Sequence, residues 1–248
     1  MTRPSRNKKQ NGNSLDFFVG GVPPDAIFNL TFNDLCAIVQ SSSEKKYASN
    51  TVAEVCLVGL AAHFEAFCKN EFAAIVNICP QVLAQFCERR DGLSVEVSAL
   101  LHSIGVVNQQ LGFILAEQFD FGSPRKINTL FYDLLRITPL SKREEKQYVR
   151  FLNDRNLLVH HGGIYTVKYE NQVFIRQARA GTTRVHFDSL VILKKDFDAW
   201  AMFLVNIAKK ISRISYQALR SFVADHQIVL DPSRQQALEI FLRLAWTA

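Results

Sequence analysis

The chain has 248 residues, 48% of them hydrophobic, which is enough to bury a sizeable core. No uninterrupted apolar run approaches the roughly 18 residues that span a bilayer. His63, Glu65, Lys69 and Glu71 separate the two most apolar stretches, Val55–Ala62 and Phe72–Cys79, and the net charge is +6.

That charge is unevenly placed. Residues 1–15 contain Arg3, Arg6, Lys8 and Lys9 and no acid. Such a leader is expected to be disordered, either as a phosphate-seeking arm or as a solubilising tail. Asp16 and Gly20–Gly21 interrupt any secretory segment behind it, so a cytoplasmic chain without membrane association is expected. Cys36, Cys56, Cys68, Cys79 and Cys87 form no C-x-x-C pair and are odd in number. Set among apolar residues, they read as buried thiols in a reducing compartment rather than as a zinc site.

Residues 15–26 read as irregular, with Gly20–Gly21 and Pro23–Pro24 as breakers. A first helix is predicted over Asp25–Gln40, ended by Ser41–Ser43, and a long one over Ser49–Cys79, ended by Pro80. Across Ser94–Phe119 the residues Val97, Leu100, Ile104, Val107, Leu111 and Ile114 recur at spacings of three and four, a seam suited to bundle packing. Ser123-Pro124 opens a further helix to about Arg136. Ser141-x-x-Glu144 is a capping box, and the helix it starts should run to His161, where Gly162–Gly163 stops it.

The period then changes. Ile164–Tyr169 and Gln172–Arg176 alternate and are rich in β-branched and aromatic residues, so they read as a β-hairpin around Glu170–Asn171, with Arg184–Leu193 as a third strand. The insert is net basic through Lys168, Arg176, Arg179 and Arg184. A last long helix, Lys195–Ala224, repeats the apolar seam and carries Lys209, Arg213 and Arg220 on another face; a short helix, Pro232–Ala245, follows. The basic face reads as a phosphate footprint or as a solvated helix face. The expected architecture is a mainly α chain: residues 16–248 as one helical-bundle domain, with a small β insertion at about 164–193.

The chemistry-bearing stretch is Asn153 to Gly163. Tyr148, Leu152, Arg155 and Val159 share one helical stripe, which places a guanidinium in a line of core residues. Such a charge is costly unless it is paired or faces a cleft. Asn153, Asn156 and His160 form the neighbouring stripe, so Asn156 and His160 lie one turn apart. At about 100° per residue, positions 155 and 160 are separated by roughly 140°; their meeting depends on the reach of the arginine or on loosening of the helix end. Arg, Asn and His at one helix end suit RNA backbone cleavage. The imidazole serves as general acid or base, the guanidinium holds the phosphate, and Asn156 orients one or the other. This needs no metal or cofactor. The plainer alternative is that Arg155 and His160 only satisfy last-turn carbonyls.

Arg155-Asn156-Leu157-Leu158-Val159-His160 resembles the R-x(4–6)-H motif of HEPN domains, including the polar residue after the arginine. Leu60–Phe67, with Glu65 among aromatics, resembles the early HEPN helix that carries an acid. The flavour is that of the RiboL-PSP-HEPN group, over about residues 45–225. The resemblance implies a HEPN-like helical bundle and a metal-independent endoribonuclease in a defence, stress or toxin–antitoxin setting. It also implies RNA as substrate, a homodimer whose two motifs line one cleft, and a cognate antitoxin or other partner protein. The alternative it implies is a non-catalytic module that binds RNA, nucleotide or a protein. Arg155, His160 and Asn156 carry over as site residues. Glu65 is a candidate partner for Arg155, or for Lys69 on its own helix, and His161 is a spare base or merely exposed. Some family members carry a modified tyrosine two residues after the motif histidine; Gly162 stands there instead, with Tyr165 the nearest tyrosine. That route of regulation is not expected.

Overall fold

The computed structural model describes residues 13–43, 51–90, 93, 95, 97–102, 107–173 and 188–242. Most of the basic leader, the middle of the expected β insertion (174–187) and residues 243–248 lie outside them. Asn13 caps a 3-10 turn, Ser14–Phe17, and Asp16 returns a bond to the Asn13 N–H at 3.1 Å. Helix α1, Pro24–Ser41, starts with proline at its first position, where no intrahelical donor is needed. Helix α2, Thr51–Ile78, ends where Pro80 precludes continuation, and α3, Val82–Cys87, follows. Within the predicted seam the described residues form α4 (Val97–His102) and α5 (Val107–Ala116). Then come α6 (Pro124–Leu135), α7 (Lys142–His161), α8 (Val167–Val173), α9 (Lys194–Asp225) and α10 (Pro232–Ile240).

The core is built around α2, against which α1, α5, α7 and α9 pack. Leu57, Leu60, Phe64, Phe67 and every residue from Glu71 to Ile78 are buried on α2. Each large apolar side chain so buried stabilises the fold by roughly 1.5–3 kcal/mol before the cost of ordering. Among the described residues, α2 is long and apolar enough to cross a membrane by length and composition. The expectation that no stretch approached that length held for uninterrupted runs, not for the helix as a whole. From Glu71 to Ile78 every residue is buried, and there packing by neighbouring helices accounts for the apolarity, since a segment packed all round needs no polar face.

A file of aromatic rings ties the layers together. Phe28 of α1 meets Phe64 of α2 edge-on at 5.9 Å, Phe64 meets Tyr148 of α7 at 5.2 Å, and Phe151 meets Trp200 of α9 at 5.4 Å. These rings are core, not a base-stacking surface. Helix α5 comes so close to α2 that a Cβ on Gly112 would lie 2.0 Å from the Ala73 carbonyl oxygen. The Gly112 N–H donates to Asn77 Oδ1 at 2.7 Å, and Asn77 Nδ2 donates to the Phe17 carbonyl at 3.2 Å. Cys56, Cys68 and Cys79 are buried as expected, whereas Cys36 is half-buried and Cys87 exposed.

The expected hairpin is not what forms. Val167–Val173 is helical, and the pairing seen among the described residues is a single antiparallel bridge, Ile164 to Ser189. Around it, Tyr165 N–H donates to Asp188 O at 3.0 Å and Leu190 N–H to Gly163 O at 2.8 Å. Two features outweigh strand propensity. Thr166 caps the turn, its hydroxyl accepting the Tyr169 N–H at 3.1 Å. Helical spacing also stacks Tyr165 on Tyr169 at 5.3 Å, as a strand would not. Arg176, Arg179 and Arg184, which were to make the insert basic, lie outside the described residues.

Candidate functional site

The capping box at the start of α7 forms as the spacing predicts. Ser141 Oγ accepts the Glu144 N–H at 3.4 Å, and Glu144 Oε2 accepts the Ser141 N–H at 2.7 Å. Lys210 of α9 adds a 2.7 Å ion pair to the same carboxylate. Burial pushes the Glu144 carboxyl up, but the Lys210 and Ser141 bonds outweigh it and hold it below the usual range. At the far end Gly162 adopts φ 58°, a left-handed conformation that favours glycine. The N–H groups of Gly162 and Gly163 both turn back to the Leu157 carbonyl, which ends the helix at His161.

Between these ends α7 climbs out of the core. Tyr148 and Leu152 are 1% and 8% exposed, Arg155 is half-buried, and Val159 is 48% exposed. The arginine therefore sits at the rim of the seam, not within it. Its Nε is enclosed and has no hydrogen-bond partner. Among the described residues neither Arg155 nor Lys69 forms an ion pair with Glu65. Glu65 is half-buried and borders Gly122, where a Cβ would lie 3.6 Å from its carboxylate. Arg155 and Glu65 still share a neighbour. Burial pushes the Tyr148 phenol up, Glu65 adds to that shift, and Arg155 opposes it.

His160 and Asn156 are exposed and open onto a cleft of about 390 Å³ on another flank of the helix. Asn153, Leu157 and His161 complete the α7 wall, and Thr166, Lys168, Tyr169 and Gln172 form the wall opposite. Arg155 does not line this cleft. Within one chain the structure thus brings together Asn156, His160 and His161, and leaves Arg155 and Glu65 on the side facing Tyr148. Among the described residues no three His, Cys, Asp or Glu side chains are grouped to hold a metal ion.

The cleft rests on residues that spacing did not reveal. Asp154 points inward, 5% exposed, and its Oδ1 accepts the Tyr169 hydroxyl at 2.8 Å. Burial pushes the Asp154 carboxyl above its ordinary range, although the Tyr169 bond and the Arg150 charge oppose this. Burial, and then the Asp154 charge, push the Tyr169 phenol far up, so it remains a proton donor to the carboxylate. This clasp fixes α8 against α7 and sets the width of the cleft. Asp154 stands directly before the motif arginine, but nothing in the sequence tells that its partner is Tyr169.

Comparison with protein-family models, curated proteins and solved structures finds no match to this chain.

Proposed function

We propose that this chain is a HEPN-type endoribonuclease that cleaves RNA through attack by the 2′-hydroxyl, and that it works in the cytoplasm as a homodimer in a defence or stress setting. The observation that carries the reading is the cleft at the end of α7. It displays His160 and Asn156 one turn apart, and among the described residues no carboxylate lines it. In the reaction the 2′-oxygen bonds to phosphorus and the bond from phosphorus to the 5′-oxygen breaks. One product ends in a 2′,3′-cyclic phosphate and the other in a 5′-hydroxyl. His160 takes the 2′-hydroxyl proton or supplies the one that the leaving oxygen needs, and Asn156 orients the imidazole. Arg155 lies off the cleft of its own chain, so its charge reaches the phosphate from a second copy apposed along α7, as the family resemblance implies.

Purified protein incubated with total RNA and a chelator tests this. His160→Ala and Arg155→Ala should each lower cleavage by roughly 10²-fold or more while circular dichroism stays unchanged. Cleavage at the wild-type rate by both variants would remove the assignment. The second reading is a non-catalytic module that binds RNA, nucleotide or a partner protein. It is favoured by the enclosed, unpartnered Arg155 Nε, which one chain does not present to the cleft. Retention of RNA without cleavage by the wild-type protein would select it.

A further inference from the structure

Resting on the ribonuclease reading but distinct from it, we propose that Lys168 is the phosphate-holding residue of the His160 cleft. A single chain then binds the RNA backbone before any second copy contributes. Several observations carry this. The groups that line the cleft are cationic or neutral. Lys168 and the two histidines supply the possible positive charge, Asn153, Asn156 and Gln172 supply amides, and among the described residues no Asp or Glu lines the cleft. The carboxylate nearest in the chain to the motif, Asp154, is 5% exposed and engaged by Tyr169, so it does not oppose an anion there. A cleft of about 390 Å³ suits one nucleotide by the usual size range of small-molecule sites.

Lys168 is also placed rather than merely present. It precedes Tyr169, whose hydroxyl is clasped by Asp154 at 2.8 Å, and follows the Thr166 cap, whose hydroxyl takes the Tyr169 N–H at 3.1 Å. The backbone that carries it is thus anchored on both sides. Lys168 itself is exposed and makes no ion pair among the described residues, which leaves its three donors for a ligand. Arg155 does not line this cleft in the same chain, and its Nε is enclosed. An ammonium is a compact point charge and tolerates varied phosphate geometry, as binding along an RNA backbone requires.

The test is binding of a short oligoribonucleotide carrying 2′-O-methyl at each position, which the proposed attack cannot cleave, measured by titration calorimetry over a range of salt. Lys168→Gln should weaken binding roughly tenfold, the loss expected for one charge-assisted bond. It should also lower the salt slope by about 0.7, the share of one phosphate contact on a single strand. Lys168→Arg should restore both, and histidine ring resonances should shift on titration of wild type but far less with Lys168→Gln. Binding and salt slope unchanged by Lys168→Gln would overturn the proposal, as would a wild-type chain that fails to bind. If Lys168→Gln binds normally while His160→Ala abolishes cleavage, the phosphate assignment falls and the ribonuclease reading stands. If wild type binds through Lys168 but does not cleave, the reverse holds.

Discussion

Asp25 is fully buried in the first turn of α1, where the helix N-terminus would favour its charge, yet burial wins and raises its pKa from 3.8 to about 6. Glu71 of α2 is buried beside it. Desolvation and then the Asp25 charge push its carboxyl well up, tempered by the Ser212 hydroxyl of α9. The sign follows from proton counting. Between pH 3.8 and about 6 the folded chain keeps a proton on Asp25 that the unfolded chain has lost. Stability from this residue is therefore full at acid pH and falls as pH rises through the folded value, by roughly 3 kcal/mol. Glu71 extends the loss to higher pH. Paired acids such as Glu144 work in the opposite direction, so the comparison that isolates the effect is wild type against Asp25→Asn. Urea midpoints should show the variant gaining on wild type as pH rises from 4 to 7. A constant difference across that range would mean that Asp25 is ionised in the fold.

At the scale of helices, the sharpest constraint is the α2–α5 crossing. A methyl at Gly112 would meet the Ala73 carbonyl oxygen at 2.0 Å and Asn77 Oδ1 at 2.9 Å, and the first of these is backbone that cannot swing aside. Gly112→Ala should cost about 3 kcal/mol, the upper part of the range for overpacking, although alanine is the better helix former. Thermal unfolding that leaves the midpoint unchanged would show that the two helices can separate cheaply. Where elements were legible in the chain, the signal was local. The Ser141–Glu144 box, the Gly162 stop, Pro24 and Pro124 at helix starts, and the apolar stripe of α9 all act within a turn of where they stand. What escaped was set by distant partners. Residues 164–169 alternate as a strand does, but the Asp154–Tyr169 bond spans 15 positions and stabilises a helix there. For the same reason Lys168 read as one charge of a basic hairpin, whereas the separation of Arg155 from His160, roughly 140° on an ideal helix, was legible and the cleft takes only the histidine.

For the molecule as a whole, the placement of Arg155 and His160 makes the homodimer a mechanistic requirement of the proposed activity. If the cleft of one copy takes its guanidinium from the other, then Arg155→Ala and His160→Ala chains complement one another. Mixed and allowed to exchange subunits, half of the dimers are hybrid, and each hybrid holds one site with both groups intact. Cleavage should return to roughly a quarter of the wild-type rate, by the counting of an isologous pair. Hybrids that form but stay silent would sink the shared cleft.

The aromatic file has one practical result. Trp200 leans on Phe151 and lies beside Asp154, the carboxylate that holds Tyr169. The chain has only one other tryptophan, Trp246. With Trp246 replaced by phenylalanine, the emission of a single indole becomes a native optical gauge of the clasp beneath the cleft, read without any attached dye.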